Sequence, residues 1–361
     1  MKRRQLWAFA LLFIGIAWSG WAEEQGQAPP AGPQVAPGTP RNVILISWDG
    51  LDRPVVKELM DGGKLPNLSA LAKEGSRQPI EVRGHVTVTK PGHAEMLTGL
   101  AAEVTGVYSN TKYQPIPEGY TVFEKLQKFL GKDNIATIMV TGKLAHVGAR
   151  GPDEITGAVK AAKKGKKGKA PEGADDTPDA ETKGEPFYLT KKHLDVCDIA
   201  QRDAVEVGPL CLKYLDQYKA KRFFAFLHFS DPDHKGHKYG SGSHEYRQAA
   251  VDCDVWLGKI VEFLKKENLY DSTLIYVMTD HGFDVNATSH SKAPHSWLVT
   301  NDKVVTHGGT IADVPATIMA RFGIDVSKLE PKLIGKPLTG AVPAAEENAP
   351  AKEPVPAGAV Q

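Results

Sequence analysis

Three short apolar stretches of this chain read as strands buried on both faces, and each runs straight into an aspartate. Asn42 to Ser47 leads to Asp49, Phe223 to Phe229 leads to Asp231 and Asp233, and Leu274 to Met278 leads to Asp280. Runs of this length without polar alternation need cover above and below the sheet. A fourth run, Ala136 to Val140, has the same character. Helical patterns lie between them. Thr121 to Leu130 opens on the capping pair Thr121 and Glu124 and stops at Gly131. Tyr246, Ala249, Ala250, Cys253, Trp256, Leu257, Ile260 and Leu264 mark one face of a longer helix. The alternation predicts an α/β fold, a mostly parallel sheet flanked by helices in three layers.

In open parallel sheets, ligands bind beyond the carboxyl ends of the strands, so aspartates at three such ends can converge on one crevice. Helix capping accounts for any one of them taken singly. The histidines extend the pattern. Asp233 and His237 frame Asp-His-Lys-Gly-His, His281 follows Asp280 directly, and His307 precedes Gly308 and Gly309. Mixed carboxylate and imidazole donors suit zinc. His85, His244, His290 and His295 read instead as packing or surface residues.

The ends of the chain differ in character from its middle. Basic Lys2, Arg3 and Arg4, an apolar run from Leu6 to Trp18 and the small residues before Glu23 predict a signal peptide over 1–22. That run is shorter than the roughly 20 residues a membrane span needs, so export and cleavage, giving a periplasmic or secreted protein, are expected over a membrane anchor. A Pro, Gly and Ala-rich linker is expected over 23–41, a catalytic domain over 42–338 and a disordered tail over 339–361. A block of lysines followed by a block of acids predicts a charged, mobile insertion at about 157–186. With 44 basic and 43 acidic residues, no overall basic field points to nucleic acid as a partner. Cys197, Cys211 and Cys253 allow at most one internal disulfide.

Taken in order, Asp49-Gly50, Thr89-Lys90-Pro91-Gly92-His93, Asp233 to His237, Asp280-His281-Gly282 and His307-Gly308 resemble the motifs of the type I phosphodiesterase and nucleotide pyrophosphatase branch of the alkaline phosphatase superfamily. The resemblance runs from about Asn42 to Gly335. It implies an alkaline phosphatase-like fold and a hydrolase acting on phosphoesters with two divalent ions, zinc by preference. One ion would be held by Asp233, His237 and His307, the other by Asp49, Asp280, His281 and the Thr89 oxygen. It also implies Thr89 as the nucleophile, passing through a phosphothreonine. Only the Thr-x-Pro-x-His spacing separates Thr89 from Thr87. Asn110 falls where the family places an asparagine that binds a phosphoryl oxygen. Lys143 and His146, in Gly-Lys-Leu-Ala-His, resemble a substrate-contacting segment of sulfatases. The sulfatase nucleophile setting, Cys or Ser before x-Pro-x-Arg, is absent here. A phosphotransferase would share every motif, and a catalytically inactive binding protein is the remaining alternative.

Overall fold

The computed structural model describes residues 39–165 and 181–340. The expected signal peptide, nearly all of the linker and nearly all of the tail lie outside those residues, as does the central part of the expected insertion. The strands are β1 (Asn42–Trp48), β2 (Ser76–Glu81), β3 (Ala136–Thr141), β4 (Val196–Ile199), β5 (Phe223–Phe229), β6 (Thr273–Met278), β7 (His295–Thr300) and β8 (Gly309–Thr310). They form one sheet in the order β4-β3-β5-β1-β6-β7-β2-β8. β7 alone opposes the rest, pairing antiparallel with both β6 and β2. Crossovers between parallel strands need intervening helices. These are α1 (Arg53–Asp61), α2 (Pro66–Glu74), α3 (Thr89–Thr98), α4 (Ala102–Thr105), α5 (Val122–Leu130), α6 (Pro152–Gly165), α7 (Ala204–Tyr218), α8 (Asp231–Tyr239), α9 (His244–Lys266) and α10 (Asp313–Arg321).

The strand pleat sorts the core into two halves. Ile44, Ile46 and Trp48 of β1 pack with α1, α2, α7 and α9 on one side. Val43 and Leu45 point the other way, onto α3, α5 and α10. Helix, sheet, helix is therefore the layering, as the apolar runs predict, and every residue of β1 and β5 is buried. The capping box on α5 forms as expected, with Thr121 and Glu124 bonded reciprocally. Cys197, Cys211 and Cys253 are free thiols. No helix of the described residues is long and apolar enough to cross a membrane.

This topology puts the carboxyl ends of β1, β5 and β6, three adjacent strands, side by side. Asp49, Asp233 and Asp280 leave the sheet there.

Candidate metal centre

One tight turn and one close helix contact shape the floor of the crevice. Gly50 adopts a left-handed φ of 68°, and a Cβ there would sit 3.0 Å from Asp233 and from the Phe283 ring. The Asp-Gly pair after β1 is thus demanded by conformation and by space together. The turn is fixed by Tyr246, whose hydroxyl donates to the Gly50 carbonyl at 2.6 Å and accepts from the Asp52 amide at 2.7 Å. On α8, Asp233 and His237 are one turn apart and share a face. Between them a Cβ on Gly236 would lie 2.6 Å from Phe283. Glycine in Asp-His-Lys-Gly-His lets α8 close onto that ring.

The donor atoms gather in two groups. In the first, His281 Nε2 lies 3.3 Å from Asp280 Oδ2, 3.7 Å from Asp49 Oδ1 and 3.5 Å from Thr89 Oγ1. In the second, His237 Nε2 lies 3.4 Å from Asp233 Oδ1. The buried atoms Asp49 Oδ1, Asp233 Oδ1 and Asp280 Oδ2 accept no hydrogen bond among the described residues. A buried carboxylate oxygen without a donor is costly. The imidazoles facing them have their Nδ1 atoms on carbonyl oxygens, His281 on Gly282 at 2.9 Å and His237 on Thr288 at 2.9 Å. A carbonyl only accepts, so Nδ1 carries the hydrogen and Nε2 of the neutral ring presents a lone pair. Lone pairs aimed at one another across 3.3 to 3.7 Å fit a cation shared between them. The donor set and its orphaned oxygens therefore suit two divalent ions.

Lys143 stands between the groups. Its Nζ contacts Asp49 at 3.0 Å, Asp233 at 2.6 Å and Thr89 Oγ1 at 3.1 Å. Burial alone would lower its pKa, but the two carboxylates outweigh burial and hold it above the ordinary lysine value. Burial would likewise raise Asp49 and Asp233, yet Lys143 holds both well below the usual carboxylate range. His146 is half-buried on the same loop.

Thr89 is the first residue of α3, whose N-terminal amides face the same space. Behind it His93 is fully buried, its Nδ1 on the Thr89 carbonyl at 2.9 Å and its Nε2 on Ser47 Oγ at 2.9 Å. Asn110 Oδ1 accepts from the Lys90 amide at 2.9 Å. Because that amide can only donate, the side chain's orientation is settled and Nδ2 remains as a donor beside α3's first turn. Thr87 is differently engaged. Its hydroxyl donates to the His290 carbonyl, and its carbonyl accepts from His290 Nδ1 at 2.6 Å.

Two histidines belong to the centre that sequence reasoning left out. His228 is the penultimate residue of the otherwise apolar β5 and holds Asp49 Oδ2 at 3.0 Å through Nε2. A titratable residue inside a run buried on both faces is its one sequence signal. His290 lies on the loop from β6 to β7, its Nε2 3.1 Å from His237 Nε2 and its ring stacked on His281 at 4.0 Å. Burial and the neighbouring His281 push it down to about 4, so its imidazole is neutral, the form that binds metal. His307 stands otherwise: its Nδ1 bonds the Gly308 carbonyl at 2.9 Å, and it forms no ion pair with Asp233 among the described residues.

A largely parallel sheet with a metal-ligand crevice beyond its central strands, fronted by a threonine at a helix N-terminus, is an alkaline phosphatase-like architecture. TAB5 alkaline phosphatase superposes with a TM-score of 0.53 at 14% identity, covering 81% of this chain and 100% of that one. The phosphonate monoester hydrolase of Silicibacter pomeroyi gives 0.50 at 17% identity, covering 84% and 77%. Residues 43–332 match the type I phosphodiesterase / nucleotide pyrophosphatase family, and the chain belongs to it. Venom phosphodiesterase 2 of Crotalus adamanteus is 42% identical over 74 residues, 20% of this chain and 9% of that protein. Human ectonucleotide pyrophosphatase/phosphodiesterase family member 7 is 23% identical over 265 residues, 71% of this chain and 51% of that one. The chain thus spans about half the length of the human relative.

Proposed function

We propose that this protein is a metal-dependent phosphoester hydrolase working through a phosphothreonine at Thr89. The observation that carries the reading is the position of Thr89 Oγ1, 3.5 Å from His281 Nε2 and 3.1 Å from Lys143 Nζ at the start of α3. Asp49, Asp280 and His281 would hold one divalent ion, and Asp233 and His237 belong to the other. Zinc is the metal that suits these donors. Bound there, two such ions would lower the pKa of the threonine hydroxyl and neutralise charge on the attacking and departing oxygens.

Thr89 Oγ gives up its proton to solvent and forms a bond to phosphorus as the bond from phosphorus to the leaving alcohol or nucleotide oxygen breaks, and that oxygen takes a proton from solvent. Water then adds to phosphorus, the Thr89 Oγ to phosphorus bond breaks, and the hydroxyl is restored. Lys143 opposes negative charge on Thr89 Oγ. Asn110 Nδ2 donates to a phosphoryl oxygen, a bond that strengthens as charge develops. The α3 amides orient the phosphoryl group. The family and the relatives' names point to nucleotide diesters and pyrophosphates as the substrate class. The basic, then apolar, then small-residue order of 1–22 supports export.

A panel of p-nitrophenyl phosphate, bis-p-nitrophenyl phosphate and a p-nitrophenyl nucleotide ester, with and without added alcohols, tests the reading. Metal-dependent release of p-nitrophenol with free phosphate or nucleotide is expected. Phosphoryl transfer to the alcohol in preference to water would make the enzyme a transferase, and no turnover with any metal would end the reading.

A further inference from the structure

Lys90 is bonded to the expected nucleophile, is fully buried, and has no part in the phosphoryl-transfer steps. It sits in the first turn of α3, where the positive end of the helix and the loss of water both disfavour a cation. We infer that Lys90 is a positioning residue that holds Asn110 in place for the phosphoryl group. The inference rests on the hydrolase reading and on the role it gives Asn110.

Lys90 grips Asn110 at two points. Its amide donates to Asn110 Oδ1 at 2.9 Å, and its ammonium donates to the Asn110 carbonyl. The same Nζ lies 3.4 Å from the Lys112 carbonyl and 3.6 Å from the centre of the Tyr113 ring, over its face. Its charge also reaches the buried Glu185, which Arg150 holds at 2.6 Å. Residues 106–117 form neither helix nor strand, so no regular ladder of backbone bonds sets the position of Asn110. Anchored at its side-chain oxygen and at its own carbonyl, Asn110 keeps Nδ2 in a set orientation beside the first turn of α3.

Both anchors come from the residue that follows Thr89, so nucleophile and phosphoryl donor share one support. A methionine of similar length would fill the space with no charge to desolvate, but it would leave the Asn110 carbonyl without this donor. The bond from the amide to Oδ1 would survive, and the loop would pivot on it. A donor to a developing oxyanion acts only if it is in place beforehand, and a displacement of about 1 Å can cost about 100-fold in rate. The loss from removing the ammonium should therefore fall on kcat and spare ground-state binding.

The test compares the full chain, loaded with zinc, as wild type, Lys90→Met, Asn110→Ala and the double variant, on the p-nitrophenyl ester of the panel that wild type turns over fastest. The readouts are kcat, KM, zinc per chain, and inhibition by inorganic phosphate and by orthovanadate, a mimic of the five-coordinate transition state. Asn110→Ala should lose at least about 100-fold in kcat. Lys90→Met should lose about 100-fold with KM nearly unchanged. The double variant should lose no more than Asn110→Ala alone, because both changes remove the same placed donor. Vanadate affinity should fall with kcat in each variant while phosphate affinity changes far less. Lys90→Gln, which is too short to reach both carbonyls, replaces Lys90→Met in the cycle if the methionine variant does not fold, with the same lack of additivity expected. Losses that multiply in the double variant, to about 10,000-fold, would make Lys90 independent of Asn110 and overturn the assignment. A kcat for Lys90→Met close to wild type, or zinc lost from that variant, overturns it equally. A wild-type rate in Asn110→Ala would instead remove the role of Asn110, and no turnover by wild type would remove the hydrolase reading, each taking the assignment with it.

Discussion

Lys143 Nζ lies 3.1 Å from Thr89 Oγ1 while paired with Asp49 and Asp233, so one buried ammonium touches the expected nucleophile and a carboxylate from each ligand group. Lys143→Met should lower kcat by about 100- to 1000-fold, the usual cost of removing one preorganised charge partner. The metal-free variant should also be less stable by about 3 to 5 kcal/mol, because Asp49 and Asp233 lose their buried cation. Zinc should restore most of that stability. Steady-state kinetics and denaturant unfolding with and without zinc check both statements, and a kcat within threefold of wild type would leave Lys143 a purely structural role.

Thr89→Ala should abolish nearly all turnover yet keep the fold and the bound metal, since the carboxylates and imidazoles of both groups remain. Thr89→Ser should keep partial activity. Thr87→Ala should change the rate only modestly, because its hydroxyl is spent on the His290 carbonyl. Acid quenching followed by peptide mapping should locate phosphate on Thr89. Phosphate on Thr87, or none at all with turnover intact in Thr89→Ala, would displace the covalent step.

Gly236→Ala should cost about 1 to 3 kcal/mol of stability, since its Cβ would meet the Phe283 ring at 2.6 Å and force α8 or the ring to shift. α8 carries both Asp233 and His237, so metal affinity should fall along with stability. Parallel thermal unfolding and metal titration check this. Lost stability with unchanged metal affinity would show that Phe283 yields and α8 does not.

The parts of the centre that sequence alone revealed are those set by local pattern. Asp49, Asp233 and Asp280 each follow a strand whose unbroken apolar run announces burial on both faces, and α5 forms where its capping pair is written. β2 gave no such signal. Its first four residues alternate between half-buried and exposed and include Pro79, leaving only Ile80 in the core, a composition that reads as loop until β7 and β8 pair with it. His290 was hidden for a related reason. Its neighbours in sequence are those of a polar loop, and its orientation beside His237 and His281 is fixed by the Thr87 carbonyl, 203 residues away. His228 was absorbed by the strand that contains it.

A last prediction concerns the buried pair His85 and Glu95, which ties the loop before α3 to that helix. His85 Nε2 lies 2.6 Å from Glu95 Oε2 with both side chains almost fully buried, and Glu95 Oε1 accepts from the Ala312 amide at the approach to α10. Burial opposes charge on the imidazole, but the Glu95 carboxylate outweighs it and raises the His85 pKa above its ordinary 6.5. A histidine whose folded pKa is raised binds its proton more tightly in the folded state. Its stabilising contribution is therefore complete below about pH 6.5, the unfolded value, and is lost as pH rises through the folded pKa. The difference in unfolding free energy between wild type and His85→Gln should accordingly be largest near pH 5.5 and shrink toward about pH 9, from a starting size of a few kcal/mol for a broken buried pair. Urea unfolding of both proteins across that range measures it. A difference that stays constant with pH would mean the pair does not titrate, leaving His85 to act through packing and its bond to the Val86 carbonyl alone.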